Sequence, residues 1–427
     1  MTPRRRAFRA WLIAAPLFVG ACAVPAGGLF RSRGYVDVDL YGRYAHELLD
    51  GTIPYRDFFV EYPPGAFVAI VPPALASEEH YRSLFKLAMA LVALGGLWCV
   101  ALLLVRLGAG TGRLAVALGF LAASPLLLGS VWLNSYDAWP ATLGVGALLA
   151  LISGYIVLGF ACLALAFTAK VYALALVVPA TLYVASRAGS RAAVRGVAAF
   201  AGVTAAVVVP FAALAPGGVW DSISSQAQRG LHIESLGAGL LLAADRLGLY
   251  GATVSHGATE AKSRDLVGSL PDALASATSV LLLAGVVAVW LLFARGDRDE
   301  RRLTAAFAAC VAAVLAFTKV LSPQYGEWLL FLVPLVAGVE GVAAMILLGT
   351  ALVLAELWFH RYRELYSIGA LVWLVTLRDL ALVGCYGALL IRLRTTIPSC
   401  SKTTRQEGSL RRLRSAEAAG SGEIRSR

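Results

Sequence analysis

Acidic and aromatic side chains crowd residues 35–65, which read YVDVDLYGRYAHELLDGTIPYRDFFVEYPPG. Asp37 and Asp39 follow the first apolar run, so their carboxylates would be wet yet close to a membrane surface. A carboxylate in that position can deprotonate a hydroxyl as a general base or help to bind a divalent cation. An ordinary solvated acid at a helix end is the competing interpretation. We take Asp37 and Asp39 as the candidate catalytic residues.

Further polar candidates lie in two segments where the predicted helices are interrupted. The segment 61–65 cannot be a regular helix, because Pro63 and Pro64 lack amide donors and fix φ. A rigid turn there would present Glu61 and Tyr62 as substrate-binding residues, and a plain loop is the alternative. Asp137 lies in a short turn before another apolar run, where substrate binding and helix capping both explain an acid.

Isolated positive charges mark a possible anion site. Lys170 and Lys319 are each bounded by apolar sequence. An intramembrane charge is costly and is a functional hypothesis by default. Each lysine can bind a lipid phosphate as a point charge, or simply extend to the interface. Arg229 and His232, in a later loop, are further candidates for phosphate binding, with a solvated loop as the alternative.

The residues after Lys319 offer groups for a sugar or a lipid head group. Ser322-Pro323 predicts a helix break. Gln324 and Tyr325 follow it and supply hydrogen bonds and a stacking surface, so both are candidate substrate-binding residues. An aromatic belt at the membrane interface explains Tyr325 equally.

Composition indicates what kind of scaffold must position these residues. Of 427 residues, 59% are hydrophobic and 15% are charged, against about 25% charged in soluble proteins. Several apolar runs reach the ~20 residues that cross a membrane, and a spanning segment must satisfy its own backbone as a helix. We therefore predict an all-α polytopic membrane protein. The net charge of +11 is explained by basic residues flanking helices, and without a basic and aromatic platform it does not indicate nucleic acid.

The apolar runs predict about twelve spans, at 9–30, 82–105, 114–133, 138–153, 155–169, 171–186, 196–215, 274–294, 303–319, 325–338, 340–358 and 366–391. Residues 155–186 can instead be one broken helix or a re-entrant pair. Arg378 and Asp379 interrupt the last run, so 362–377 can lie at the interface with the crossing starting near 380. The run 66–76 is too short to cross and is expected at the interface.

Basic residues predict the orientation of the spans. Arg4, Arg5, Arg6 and Arg9 precede the first span and favour a cytoplasmic N-terminus. Alternate counting then places outer loops at about 31–81 and 216–273, and all the candidate residues on one side. We expect one domain over 1–394 and a disordered, basic cytoplasmic tail over 395–427.

Cysteine context adds two expectations. Val19-Gly20-Ala21-Cys22 resembles a lipoprotein cleavage site, but the apolar run continues past it, which favours a retained first helix. The six cysteines form no CxxC pair or metal-ligand cluster and are explained as small buried hydrophobes.

The first-loop motifs resemble glycosyltransferase family 87, membrane enzymes of the GT-C class. They are similar to mycobacterial polyprenol-phosphate-mannose-dependent mannosyltransferases and related arabinofuranosyltransferases. The resemblance covers about 9–394 and is carried by an Asp followed by Tyr and by the segments 50–58, 61–65, 229–235 and 318–325.

This resemblance implies a sugar donor carried on a polyprenyl phosphate, a lipid or glycan acceptor, and an inverting transfer on the extracytoplasmic face. It also implies an acid in the first outer loop as general base. Asp37 best matches that acid by its distance before Tyr41, and Asp39 is the fallback. Ala173 stands where a proline is common after the Lys-aromatic pair, which weakens the donor-site role of Lys170.

The implied chemistry needs negative charge on the leaving phosphate to be stabilised. The expected cations are Lys319, with Lys170, His232 or Arg229. If side chains supply this charge, no metal is required, although a divalent ion stays open. A transporter or flippase and a non-catalytic scaffold are the competing functions. A transporter typically places ionisable groups near mid-membrane in two related halves, and no clear halves are visible.

Overall fold

The computed structural model describes residues 2–27, 37–76, 78–255 and 264–395. Its first helices, in chain order, are α1 (Pro3–Ala26), α2 (Asp37–Leu49), α3 (Phe67–Ala74), α4 (Tyr81–Arg106), α5 (Thr111–Leu128), α6 (Ala138–Ile152), α7 (Ile156–Ala169), α8 (Val177–Ala188) and α9 (Ser190–Leu214). Short 3₁₀ turns cover Pro64–Ala66, Gly129–Val131 and Val171–Leu176.

The later helices are α10 (Pro216–Gln228), α11 (Leu236–Arg246), α12 (Ser269–Arg295), α13 (Glu300–Phe317), α14 (Glu327–Leu330), α15 (Val339–Phe359) and α16 (Val372–Thr395). Further 3₁₀ turns cover Pro323–Gly326, Val333–Leu335 and Tyr362–Ser367. Strands β1 (Leu231–His232) and β2 (Asp265–Leu266) pair antiparallel, with Leu231 opposite Leu266.

Within these ranges, 8 helical segments are long and apolar enough to cross a membrane. Their outer surfaces fit lipid rather than water. In α9, none of the apolar window is buried, and Val194 and Val209 are exposed. Contiguous apolar surface of this extent is rare on soluble proteins. The chain is therefore an all-α, membrane-embedded protein, as its composition predicts.

The predicted spans outside these eight correspond to α6, α7, α13 and the stretch 325–338. Helices α6 and α7 have only 15 and 14 residues, and α13 has 18 residues with three charged ones at its start. The segment after α7 is among the eight, although it begins as a 3₁₀ turn before it becomes α8. The prediction of a regular helix over 325–338 is wrong, because this stretch consists of α14 between two 3₁₀ turns. Pro323 and Pro334, which lack an N–H, each begin one of these turns.

Helix α16 also differs from one expectation. It begins at Val372 and continues through Arg378 and Asp379, so these charges do not interrupt the helix. The helix accommodates both charges because Arg378 pairs with Asp379 and with Glu234. The expected disorder of the tail concerns residues 396–427, which lie outside the described residues, as do residues 31–36 of the first loop.

Helix α13 forms the centre of the bundle. From Arg302 to Ala316 nearly all of its side chains are buried. It packs extensively against α12 and α16 and makes smaller contacts with α8 and α14. On the other side of the bundle, α1 lies between α4 and α5, and α7 lies between α6 and α9. In this arrangement, the segments that connect the helices lie at the two ends of the bundle.

Arginines line one end of the bundle, where their side chains donate to backbone carbonyls of neighbouring helices. The distances are 2.8 Å for Arg6 to Ala109, 2.7 Å for Arg106 to Ile152, 3.3 Å for Arg301 to Leu107 and 2.9 Å for Arg302 to Leu393. Carbonyls near helix ends lack intrahelical partners and need such donors. We call this the arginine end. The opposite end, where residues 62, 136–137, 170 and 325 meet, is the aromatic end.

Candidate functional site

A buried ion pair lies at the aromatic end. Lys170 has extended backbone between α7 and the next 3₁₀ turn, and its Nζ lies 3.5 Å from Asp137 Oδ1. The Asp137 side chain is fully buried and that of Lys170 is 11% exposed. Trp328 Nε1 donates to the same Asp137 oxygen at 2.7 Å, and the Ser135 hydroxyl donates to the other. Asp137 is therefore a satisfied counter-ion.

Three tyrosine rings surround the Lys170 amine. Its Nζ lies 5.2 Å from the ring centre of Tyr62, 4.7 Å from that of Tyr136 and 5.2 Å from that of Tyr325. At these distances a cation is attracted to an aromatic face. We call Lys170, Asp137 and these tyrosines the lysine box. It joins the first loop, the turn before α6, the end of α7 and the segment after α13.

A glycine brings the first loop to the lysine box. The turn Pro64–Ala66 packs on the end of α7. A Cβ at Gly65 would lie 2.5 Å from the backbone carbonyl carbon of Thr168, closer than real Cβ atoms come. The Tyr55 hydroxyl donates to the Tyr62 carbonyl at 2.7 Å and fixes the same turn. The Pro-Pro-Gly sequence thus sets the close approach that places Tyr62 over Lys170.

The two candidate catalytic acids have different surroundings. Asp39 pairs with Arg82 at the surface, and both side chains are more than half exposed. Asp37 begins α2 and is half-buried. Burial raises the pKa of Tyr62 well above its usual value, and the negative charge of Asp37 raises it further. The charge of Asp37 also acts on Lys170. Asp37 is therefore the acid of this pair that lies near the lysine box.

The end of α10 comes next to the first loop. The Gln226 side-chain amide donates to the Glu61 carbonyl at 3.4 Å, and Arg229 Nη1 donates to Gln226 Oε1 at 3.4 Å. The charges of Glu61 and Arg229 both act on Tyr325. Gln324 is buried and accepts a hydrogen bond from the Ser322 hydroxyl. These contacts place Glu61, Arg229 and Gln324 beside the lysine box.

Lys319 lies outside the lysine box. Its Nζ donates to the Ala227 carbonyl at 2.7 Å, at the C-terminus of α10. Arg229 follows two residues later in the chain. A lysine at a helix C-terminus is stabilised by the helix dipole. Lys319 and Arg229 therefore form a basic patch at the end of α10, distinct from Lys170.

His232 has a different place from the one expected for a phosphate-binding cation. Its backbone N–H donates to the Lys319 carbonyl at 3.0 Å, and Nδ1 lies 2.9 Å from the Leu321 carbonyl oxygen. Nε2 lies 3.4 Å from the Tyr362 hydroxyl. Burial, helped by the charge of Arg229, lowers the pKa of His232 to about 3. The ring is neutral at physiological pH and fastens β1 to residues 319–321.

A buried ionic cluster that was not predicted from the sequence lies next to β1. Arg378 Nη1 donates to Glu234 Oε2 at 3.3 Å, and Arg378 Nε donates to Asp379 Oδ1 at 2.9 Å. All three side chains are buried. The signal was present as adjacent opposite charges in the last apolar run, read there as an interruption. The cluster attaches α16 to the segment that carries His232.

Glu327 was also missed. It begins α14, two residues after Tyr325, and is completely buried. The charges of Asp137 and Lys170 act on it. The available signal was an acid within a run predicted to cross the membrane, which is a functional hypothesis by default.

Taken together, the site offers an acid, aromatic rings and a basic patch at one end of the bundle. Among the residues that the structure describes, no group of three or more His, Cys, Asp or Glu side chains could hold a metal ion. Comparison with protein-family models finds no match for the chain, and comparison with curated proteins finds none either. The resemblance in the first loop therefore stays a prediction.

Proposed function

We propose that the protein is a membrane glycosyltransferase that transfers a sugar, mannose or a related one, from a polyprenyl-phosphate donor to a lipid or glycan acceptor. One observation carries the proposal. A half-buried carboxylate, Asp37, lies near the aromatic lysine box, and the basic patch approaches the same box where Arg229 acts on Tyr325. An acid, stacking surfaces and cations within one neighbourhood are the groups that sugar transfer from a lipid phosphate requires.

The proposed orientation follows from charge. Arginine-rich helix ends are typical of the cytoplasmic side. The aromatic end is then extracytoplasmic, both termini are cytoplasmic, and the chain crosses about twelve times if the interrupted stretch 323–335 counts as one crossing. In this orientation a donor keeps its hydrocarbon chain in the bilayer while its phosphate reaches the aromatic end.

The basic patch is the proposed site for the donor phosphate. Lys319 and Arg229 lie at the end of α10 and would stabilise the charge that develops on the leaving phosphate. Lys170 has a weaker claim, because Asp137 already neutralises its charge. Its proposed task is to hold Tyr62 and Tyr325 in place, where their rings can stack against a sugar.

Asp37 is the proposed general base. It would take the proton of the acceptor hydroxyl while that oxygen attacks the anomeric carbon of the donor sugar. The bond from this carbon to the phosphate oxygen breaks, and the polyprenyl phosphate leaves with its electron pair. Attack from the face opposite the phosphate inverts the anomeric centre.

The test is transfer of radiolabelled sugar from polyprenyl-phosphate donors in membranes that contain the wild type, Asp37→Asn or Asp39→Asn. Loss of a general base costs about 10²–10⁴-fold in rate, so we expect Asp37→Asn to lose transfer while the protein still inserts. Asp39→Asn is the matched control, since that side chain pairs with Arg82 at the surface. Full transfer by both variants and by the double variant would remove the catalytic assignment.

A secondary transporter or flippase is the second candidate, and one observation favours it. The helix interruption at Lys170 and the interrupted stretch 323–335 meet around the ion pair with Asp137. Discontinuous helices around ionisable groups are typical of transporter sites. Uptake of a solute into vesicles without any glycosidic product would favour this function over transfer.

A further inference from the structure

Glu327 combines complete burial with a lack of partners. Its side chain has no exposed surface. Neither carboxyl oxygen has a hydrogen-bond partner among the described residues. Buried polar groups in native proteins are nearly always hydrogen-bonded, so each exception requires an explanation.

The neighbours of Glu327 belong to the site. Its own short helix supplies Trp328, the donor to Asp137. The titratable groups that interact with it in the described chain are Asp137 before α6, Lys170 after α7 and Cys22 in α1, and Tyr325 precedes it by two residues in the chain. Lys170 is the positive charge among them, and Asp137 already pairs with it.

The free-energy cost of desolvation determines whether Glu327 is protonated or ionised at this buried position. A buried carboxylate without a donor or a counter-ion of its own costs several kcal/mol. A carboxylic acid keeps its proton and avoids most of that cost. Replacement by an apolar side chain would avoid all of it, so a carboxyl kept here works against stability. Proteins tolerate such exceptions mainly at functional sites.

We infer that Glu327 is a proton-binding positioning residue whose proton controls the affinity of the aromatic end for an anionic lipid phosphate. With Glu327 protonated, the buried charges of Asp137 and Lys170 sum to zero. With Glu327 ionised, the same group of side chains carries one net negative charge, which repels a phosphate bound at the neighbouring basic patch. This inference rests on the proposed function for the identity of the anion.

The first experiment tests the proton alone. A protonated carboxylic acid and an ionised carboxylate absorb at different infrared frequencies, and this readout requires no reagent to reach the buried side chain. We expect the carbonyl-stretch band of a protonated acid in wild-type membranes near neutral pH, and we expect that band to be lost in Glu327→Gln. Identical spectra of the two proteins in this region would overturn the inference.

The second experiment tests the consequence for binding. We expect the wild-type KM for the polyprenyl-phosphate donor to rise about tenfold or more from neutral to alkaline pH, since one added buried charge acts on the phosphate. In Glu327→Gln this rise should shrink to less than about twofold, because the amide stays neutral. Glu340→Gln, at the start of α15, is the matched control and should keep the wild-type rise. Equal pH dependence in Glu327→Gln and wild type would overturn the inference.

The two experiments separate the possible failures. If no donor supports transfer in any membrane, the proposed function fails. The infrared band still reports whether Glu327 holds a proton, because it requires no substrate. If transfer occurs and the band is present but the pH dependence is unchanged in Glu327→Gln, the control of phosphate affinity is refuted.

Discussion

Replacing Asp137 by Asn should destabilise the protein strongly, because it leaves Lys170 as a buried charge without its counter-ion. Lys170 Nζ lies 3.5 Å from Asp137 Oδ1, and the lysine side chain is only 11% exposed. Trp328 can still donate to the asparagine oxygen, so the main loss is the ion pair. Removing one partner of a buried pair typically costs about 3–5 kcal/mol of unfolding free energy.

The double variant Asp137→Asn/Lys170→Met separates charge from packing. Replacing both members of a buried pair by neutral groups is often close to neutral. The tyrosines around Lys170 lose their attraction to the cation, about 0.5–2 kcal/mol for each such contact. We therefore expect the double variant to be at least about 1 kcal/mol more stable than Asp137→Asn alone, with a coupling energy within the range of about 0.5–3 kcal/mol.

The measurement is equilibrium unfolding in lipid–detergent micelles titrated with dodecyl sulfate. Asp39→Asn is the matched control, since its partner Arg82 is 53% exposed and such surface pairs contribute about 0–1 kcal/mol. The reasoning is refuted if Asp137→Asn is as stable as Asp39→Asn. It is also refuted if the double variant, which removes the Lys170 charge, has no higher unfolding free energy than Asp137→Asn.

Three further predictions concern the surroundings of the site. Gly65→Ala should push the first loop away from Thr168, costing about 1–3 kcal/mol and exposing the loop to protease in sealed vesicles. His232, whose pKa falls from 6.5 to about 3 on burial, binds a proton more readily unfolded than folded. Stability should therefore fall as pH drops from about 6.5 towards 3, by up to about 1.4 kcal/mol per pH unit, and His232→Gln should flatten this slope in unfolding titrations. Arg378→Met should cost about 3–5 kcal/mol by leaving Glu234 buried without its cation, measured by dodecyl sulfate unfolding.

Two of these changes have a control in the chain. Gly95→Ala places a methyl group in open space on α4 and should leave loop cleavage unchanged. Arg361→Met removes a surface pair and should cost little. A control that matches its test variant would contradict the corresponding explanation.

The sequence was informative wherever the bilayer alone dictates the backbone. A chain in lipid must satisfy its own N–H and C=O groups, so apolar runs of sufficient length become helices, as α4, α9 and α12 do. This rule fails between Ser322 and Gly338, because Pro323 and Pro334 interrupt the pattern while the apolar composition continues. Composition reports burial in lipid, and backbone chemistry decides whether the buried segment is a regular helix.

The partners of the buried charged side chains could not be predicted from the sequence. Lys170 and Lys319 occur in similar apolar contexts, yet one meets Asp137 and the other meets a helix end. Arg378 finds Glu234, 144 residues away. Local sequence reveals that a buried charge needs a partner, but only the packing of distant helices determines which one. The short-range signals, such as the Pro-Pro-Gly turn, were readable because their geometry is local.

The arginine hydrogen bonds between neighbouring helices have a mechanical consequence. Four backbone carbonyls at or near helix ends accept hydrogen bonds from arginine side chains of other helices. These ties resist separation of the helices at that end, so a substrate-driven movement would pivot there and open widest at the opposite end. We expect cross-links between helices at the arginine end to leave this movement unchanged. Cross-links between the first loop and α10, at the aromatic end, should prevent it.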